Sequence, residues 1–202
     1  MSQRGNNYAQ IFATADRWCC AYPMEKKSEA HEGVLSLFQR KCVPNTMIMD
    51  NARAEQTMGL FCHKCCKAGV HVKQTKPHSP WLNSEEAAIR ELKKGVGCQM
   101  ERSAALAQLW DDCLEREAYV RSFTAHDIYK LNGQVPEPVV SSKTADISPL
   151  AQFKWYEWVL FRDTSVTYPD TPMVLGRDLG PAIDIGPGMT GKVLQSNGNV
   201  VY

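Results

Sequence analysis

A chain of 202 residues, 44% hydrophobic and 22% charged, carries enough apolar material to bury a core, which excludes an unfolded polyelectrolyte. Its net charge of +1 names no partner, and no apolar run approaches the ~20 residues of a membrane span. The opening "MSQRGNNYAQ" lacks the apolar stretch of a secretory signal, so the protein is expected inside the cell with its eight cysteines as thiols. Charge is uneven along the chain: residues 1–130 hold 18 Lys and Arg against 15 Asp and Glu, and residues 131–202 hold 5 against 7.

"YAQIFATA" and "RWCCAYPM" read as a strand and a returning strand about a turn at Asp16. "KSEAHEGVLSLFQRKC" places Val34, Leu35, Leu37 and Phe38 on one side of a helix, with Ser28 as its N-cap. "VPNTMIMD" is a turn feeding a short buried strand that ends at Asp50. A second helix, "EQTMGLFCHKCCKAG", stops at Gly69, and "VHVKQT" is a short strand. Alternation of helix and strand predicts a mixed sheet with helices packed against it. Cys62 and Cys65 have half the spacing of a zinc site, but no second pair follows at a suitable distance, which favours plain thiols.

"KPHSPWLN" holds two prolines in four residues and reads as a loop. "SEEAAIRELKKGV" begins a helix capped by Asn83 or Ser84. "SAALAQLWDDCLEREAYVRSFTAH" is a longer helix, with Leu106, Leu109, Trp110, Cys113 and Val120 along its packing face. Residues 127–150, rich in Pro and Ser, read as a linker after a domain of residues 1–126. "FKWYEWVLFRD", "PMVLGRDLG", "TGKVLQ" and "NVVY" are short strands with glycine turns, which suit a small β-barrel over residues 151–202.

Asp50 closes a strand, and Glu86 lies in the first turn of a helix reached through the proline-rich loop. Two carboxylates brought together from a strand end and a helix start suit Mg²⁺ or Mn²⁺, which prefer oxygen ligands. Paired metals of this kind serve phosphoryl transfer. Helical spacing puts Glu85 with Ala88, Ile89, Leu92 and Val96 on the packing stripe, and Glu86 with Arg90 and Lys93 on a polar one, so Glu86 is preferred as the ligand. Lys67, Lys73 and Lys76 add positive charge, with no acid between residues 67 and 84. Such a surface suits phosphate backbone with little sequence preference.

"TMIMDN" followed by "HVKQTKPHSPWLNSEEAAIRELKK" resembles the catalytic core of retroelement integrases, specifically those of copia-like retrotransposons. The resemblance implies a ribonuclease H-like α/β core with a mixed sheet and flanking helices, followed by a small SH3-like β-barrel. It implies Asp50 as the second catalytic acid and Glu86 as the third, holding Mg²⁺ or Mn²⁺. Lys73, Lys76, Asn83, Arg90, Lys93 and Lys94 would lie against DNA. DNA integration, a nuclear location, a possible homo-oligomer and no membrane association follow from the same likeness.

The family's pattern also has a first acid, on a strand beside the one that ends at Asp50. Only two strands precede the first helix here, and Asp16 lies in the turn between them. If these are strands two and three of that fold, Asp16 sits at the far end of a strand spanning ~17–20 Å from Asp50, beyond metal-sharing distance. The favoured expectation is a piece of an integrase without its first strand and acid; the alternative makes Asp16 that acid. Asp50 and Glu86 are expected to face one another across a cleft.

Overall fold

The structure, a computed structural model, describes residues 1–49, 55–74, 84–128, 131–163, 166–182, 185 and 190–202, and of residues 55–58, 84 and 85 the backbone alone. Apolar side chains run almost without interruption along the first two strands, so each strand offers an apolar row to both of its faces. Strand β1 (Tyr8–Ala13) pairs antiparallel with β2 (Cys19–Met24), from Tyr8↔Met24 to Ala13↔Cys19. The turn between them closes with Thr14 N–H donating to the Trp18 carbonyl at 2.9 Å, with Arg17 left-handed at φ 68° and Asp16 half-buried.

Helix α1 (Ala30–Arg40) buries Val34 and Leu37 as its spacing predicts. Ser28 is not its cap. A 3₁₀ turn over Lys27–Glu29 precedes the helix, no side chain caps either element, and the Ser28 carbonyl instead lies 2.8 Å from His31 Nδ1.

Strand β3 (Thr46–Met49) and strand β4 (His71–Gln74) are parallel, in register Thr46↔His71 to Met49↔Gln74, and helix α2 (Glu55–Lys67) connects them. Parallel neighbours require such a crossover. Gly69, at φ +77°, turns the chain out of α2, a conformation that glycine adopts without steric cost. The buried strand expected before Asp50 is only half covered: Met47 and Met49 reach the core, while Ile48 is 55% exposed. Among the described residues β1–β2 and β3–β4 form two separate two-stranded sheets rather than one mixed sheet.

Both small sheets rest on the same helices. Phe12, Trp18 and Met24 join Val34, Leu37, Phe61, Cys65 and Val70 in one cluster, with Met47, Met49 and Val72 packed against it. The opposite face of the β1–β2 hairpin supplies Ile11 and Cys19 to a second cluster with Leu92, Leu114 and Ala118. Those last three belong to α3 (Ser84–Ser103) and α4 (Trp110–Phe123), so the hairpin is sandwiched between two helical layers.

Helix α3, which the sequence starts at "SEEAAIRELKKGV", runs on through Gly95 and Gly97 to Ser103. At Gly95 an added Cβ would lie 2.8 Å from Glu117 Oε2 on α4, the far end of a side chain that can swing aside. The break between the two helices comes instead at Ala104, left-handed at φ 50°. Leu109 and Cys113 are buried as expected, but Leu106 is exposed, because it precedes the 3₁₀ turn that leads into α4.

Within residues 127–150 the chain forms α5 (Glu137–Ser141) and enters α6 (Ser148–Ala151), with Leu131, Glu137 and Leu150 buried. Strands β5 (Trp158–Arg162), β6 (Met173–Pro181), β7 (Gly191–Leu194) and β8 (Val200–Val201) follow as an antiparallel meander in that order. The strands fall where the sequence places them, but no closed barrel forms among the described residues. The meander packs on α4 through Leu109, Cys113, Trp155, Leu179 and Leu194.

An ionic seam runs beside that packing. Arg4 Nε donates to Asp111 Oδ2 at 2.9 Å, and Lys192 Nζ lies 2.7 Å from Glu115 Oε2 and 3.4 Å from Asp112 Oδ1. Burial raises the Asp112 pKa against the pull of Arg4 and Lys192. These interactions tie the amino-terminal segment, α4 and β7 together.

Candidate nucleic-acid interface

Parallel pairing sends the carboxyl ends of β3 and β4 to the same end of their sheet. In open α/β sheets that end is where ligands bind, because loops there converge above fixed strands. From it the chain leads into residues 50–54 after Met49 and residues 75–83 after Gln74, and the second of these runs enters α3.

Asp50, Lys76 and Asn83 lie outside the described residues, as do the proline-rich loop and the alternative cap at residue 83. Glu86 is exposed in the first turn of α3. Ala88 and Leu92 are buried and Ile89 and Val96 pack against the hairpin and α4, whereas Arg90, Lys93 and Lys94 are exposed. Lys73 on β4 and Lys67 at the end of α2 are exposed as well. One side of α3 is thus committed to the core, and the other carries two acids, Glu86 and Glu91, among three cations, Arg90, Lys93 and Lys94.

Glu86 supplies a carboxylate oxygen, a hard donor of the kind Mg²⁺ and Mn²⁺ take. Among the described residues no group of three or more His, Cys, Asp or Glu side chains is placed to hold a metal ion. Cys65 is fully buried, and burial pushes its pKa up to about 11, so it stays protonated at neutral pH. Burial likewise pushes Cys19 to about 11 and Cys113 to about 12.

A cavity of about 490 Å³ lies elsewhere, between β2, α4 and the meander, lined among others by Arg4, Tyr22, Lys41, Tyr119 and Lys192. Its ionic groups are largely matched: Arg4 and Lys192 face Asp112 and Glu115, and Lys41 Nζ lies 2.5 Å from Glu137 Oε1. It is a seam between packed layers, away from the carboxyl ends of β3 and β4. Sequence reading did not find these buried charges. The signal was the acid pair in "LWDDCL", where Asp111 and Asp112 stand on a helix that is buried nearly all round.

No protein-family model matches the chain, and no curated protein matches it in sequence. Among solved structures the chain is similar to a chain of the simian T-cell lymphotropic virus intasome, determined by cryo-electron microscopy in complex with the PP2A regulatory subunit B56 gamma. The match has a TM-score of 0.51 and 14% identity and covers 96% of this chain and 70% of that one. The two share an α/β fold, and the likeness takes in nearly the whole chain. No helix among the described residues is long and apolar enough to cross a membrane.

Proposed function

We propose that the protein is an integrase-like protein of a copia-like retrotransposon that binds DNA along the exposed side of α3. The observation that carries this reading is the division of α3, whose Ala88 and Leu92 are buried while Arg90, Lys93 and Lys94 face solvent beside Glu86 and Glu91. The helix begins beyond the carboxyl end of the parallel β3–β4 pair, where the integrase-like motif runs from Asp50 to Glu86. The fold likeness to an intasome chain supports the same reading.

On this proposal residues 1–126 are a ribonuclease H-like core, residues 127–150 a linker and residues 151–202 an SH3-like module. Arg90, Lys93 and Lys94, with Lys73, Lys76 and Asn83, hold phosphates and set the register of DNA without reading its bases. Asp50 and Glu86 would hold Mg²⁺ or Mn²⁺, which supplies charge stabilisation during phosphoryl transfer on DNA ends. A further acid comes from Asp16 or from another polypeptide.

Fluorescence anisotropy with a labelled duplex, across a salt series, tests the surface. Affinity should fall linearly in log–log form with salt, and Arg90→Ala with Lys93→Ala and Lys94→Ala should flatten that slope by about 0.9 for each phosphate left without its cation. An unchanged slope removes α3 from the interface. Mn²⁺-dependent nicking abolished by Asp50→Asn and by Glu86→Gln supports catalysis, whereas salt-sensitive binding without cleavage supports a non-catalytic DNA-binding remnant of an integrase.

A further inference from the structure

Strand β5 forms one edge of the four-stranded meander. Asp163 N–H donates to the Pro172 carbonyl, and Asp178 N–H donates to the Glu157 carbonyl. Odd-numbered residues of β5 therefore bond to β6, and alternation turns the N–H and C=O groups of Trp158, Leu160 and Arg162 to the open side. None of the described residues bonds to those groups. The strand carries no proline, lysine or bulge of the kind that ordinarily blocks edge pairing.

The side chains of the same three residues stand on the outer face, beside Met173, Leu175 and Arg177 of β6. Trp158 is 60% exposed, Leu160 64% and Leu175 55%. Arg177 already lies over the Trp158 ring, 3.6 Å from its centroid. An apolar strip next to an unpaired backbone edge is a surface made for another strand.

The sequence of β5 says which strand. "WVLFR" is complementary to itself when reversed: centred on Leu160, an antiparallel partner places Trp158 opposite Arg162, Val159 opposite Phe161 and Leu160 opposite Leu160. In that register Trp158, Leu160 and Arg162 become the bonded pairs, each exchanging both N–H···O bonds, which is what their outward groups require. Each Trp158 ring would then have Arg177 of its own chain on one side and Arg162 of the other copy opposite, repeating a stacking the chain already makes. A register centred on Arg162 sets like charges against each other, and one centred on Trp158 leaves Arg162 without its ring.

We propose that two copies of this chain associate through antiparallel pairing of their β5 strands about Leu160, forming a continuous eight-stranded sheet with two-fold symmetry. Pairing consumes both β5 edges, and the edges that remain belong to β8, only two residues long, so assembly closes at the dimer. The interface is separate from the exposed side of α3 and holds whether or not the protein binds DNA.

Light scattering on the full chain, during size-exclusion chromatography over a range of loading concentrations, tests it. The wild type should approach twice the 22.7 kDa chain mass as concentration rises. Trp158→Glu sets a carboxylate opposite Arg162 twice over and should keep the dimer, whereas Trp158→Lys sets two cations together and should give the monomer. Leu160→Pro removes an outward N–H while sparing the bonds to β6, and should also give a monomer with unchanged circular dichroism. A wild type that stays at the monomer mass, a Leu160→Pro variant that stays dimeric, or Glu and Lys at position 158 behaving alike overturns the proposal.

Discussion

Replacing Asp178 with Asn should stabilise the protein at neutral pH, and the gain should vanish in acid. Asp178 is 6% exposed on β6, where burial pushes its pKa from 3.8 up to about 6 against the attraction of Arg116 and the bond its Oδ2 accepts from Gly180 N–H at 3.0 Å. At 1.36 kcal/mol per pH unit, that gap corresponds to about 3 kcal/mol of preference for the neutral carboxyl in the folded state. Below 3.8 both states are protonated and the residue makes no pH-dependent difference. Between 3.8 and about 6 the folded chain holds a proton the unfolded chain has released, so stability falls as pH rises. Above about 6 the folded state bears the full cost of a buried charge. Asn keeps an acceptor for Gly180 N–H and never ionises. Urea denaturation of both proteins from about pH 3 to 8 isolates the effect, because every other titrating group cancels in the difference. The Asn variant should gain up to about 3 kcal/mol relative to wild type between the acid and neutral ends. A difference that stays flat, or one that turns towards wild type as pH rises, would mean that Arg116 outweighs burial and would refute this account.

Gly176→Ala should cost about 3 kcal/mol or more in the same assay, because its Cβ would overlap Val193 Cγ1 and lie 2.9 Å from the Leu194 carbonyl oxygen, which belongs to backbone and cannot swing away. A loss under ~0.5 kcal/mol would show that β6 and β7 are less closely apposed than this. Glu137 accepts from Trp18 Nε1 at 2.7 Å and pairs with Lys41 while 5% exposed, so Glu137→Ala should cost about 3 kcal/mol, as breaking a buried pair does. Glu137→Gln, which keeps an acceptor for the indole, should cost roughly half as much. Equal losses in the two variants would assign the whole effect to Lys41.

Much of the local structure is legible in the order of residues. Near-continuous apolar runs in "YAQIFA" and "CCAYPM" decide the hairpin and its two apolar faces, and 3.6-residue spacing decides that Ala88 and Leu92 turn inward while Arg90 and Lys93 turn out. The same spacing did not decide what covers each face. Ile48 looks like a core residue in "TMIMD" yet is exposed, and Asp111 looks like a surface acid yet is wholly buried. The second case has a plain cause: its partners Arg4 and Asn6 lie 107 and 105 residues away, and no local pattern announces a counter-charge so distant. Periodicity records which way a side chain points along its own element. Whether that direction meets solvent, an apolar layer or an opposite charge is settled when remote elements pack, because burial and Coulomb energy depend on spatial rather than chain distance.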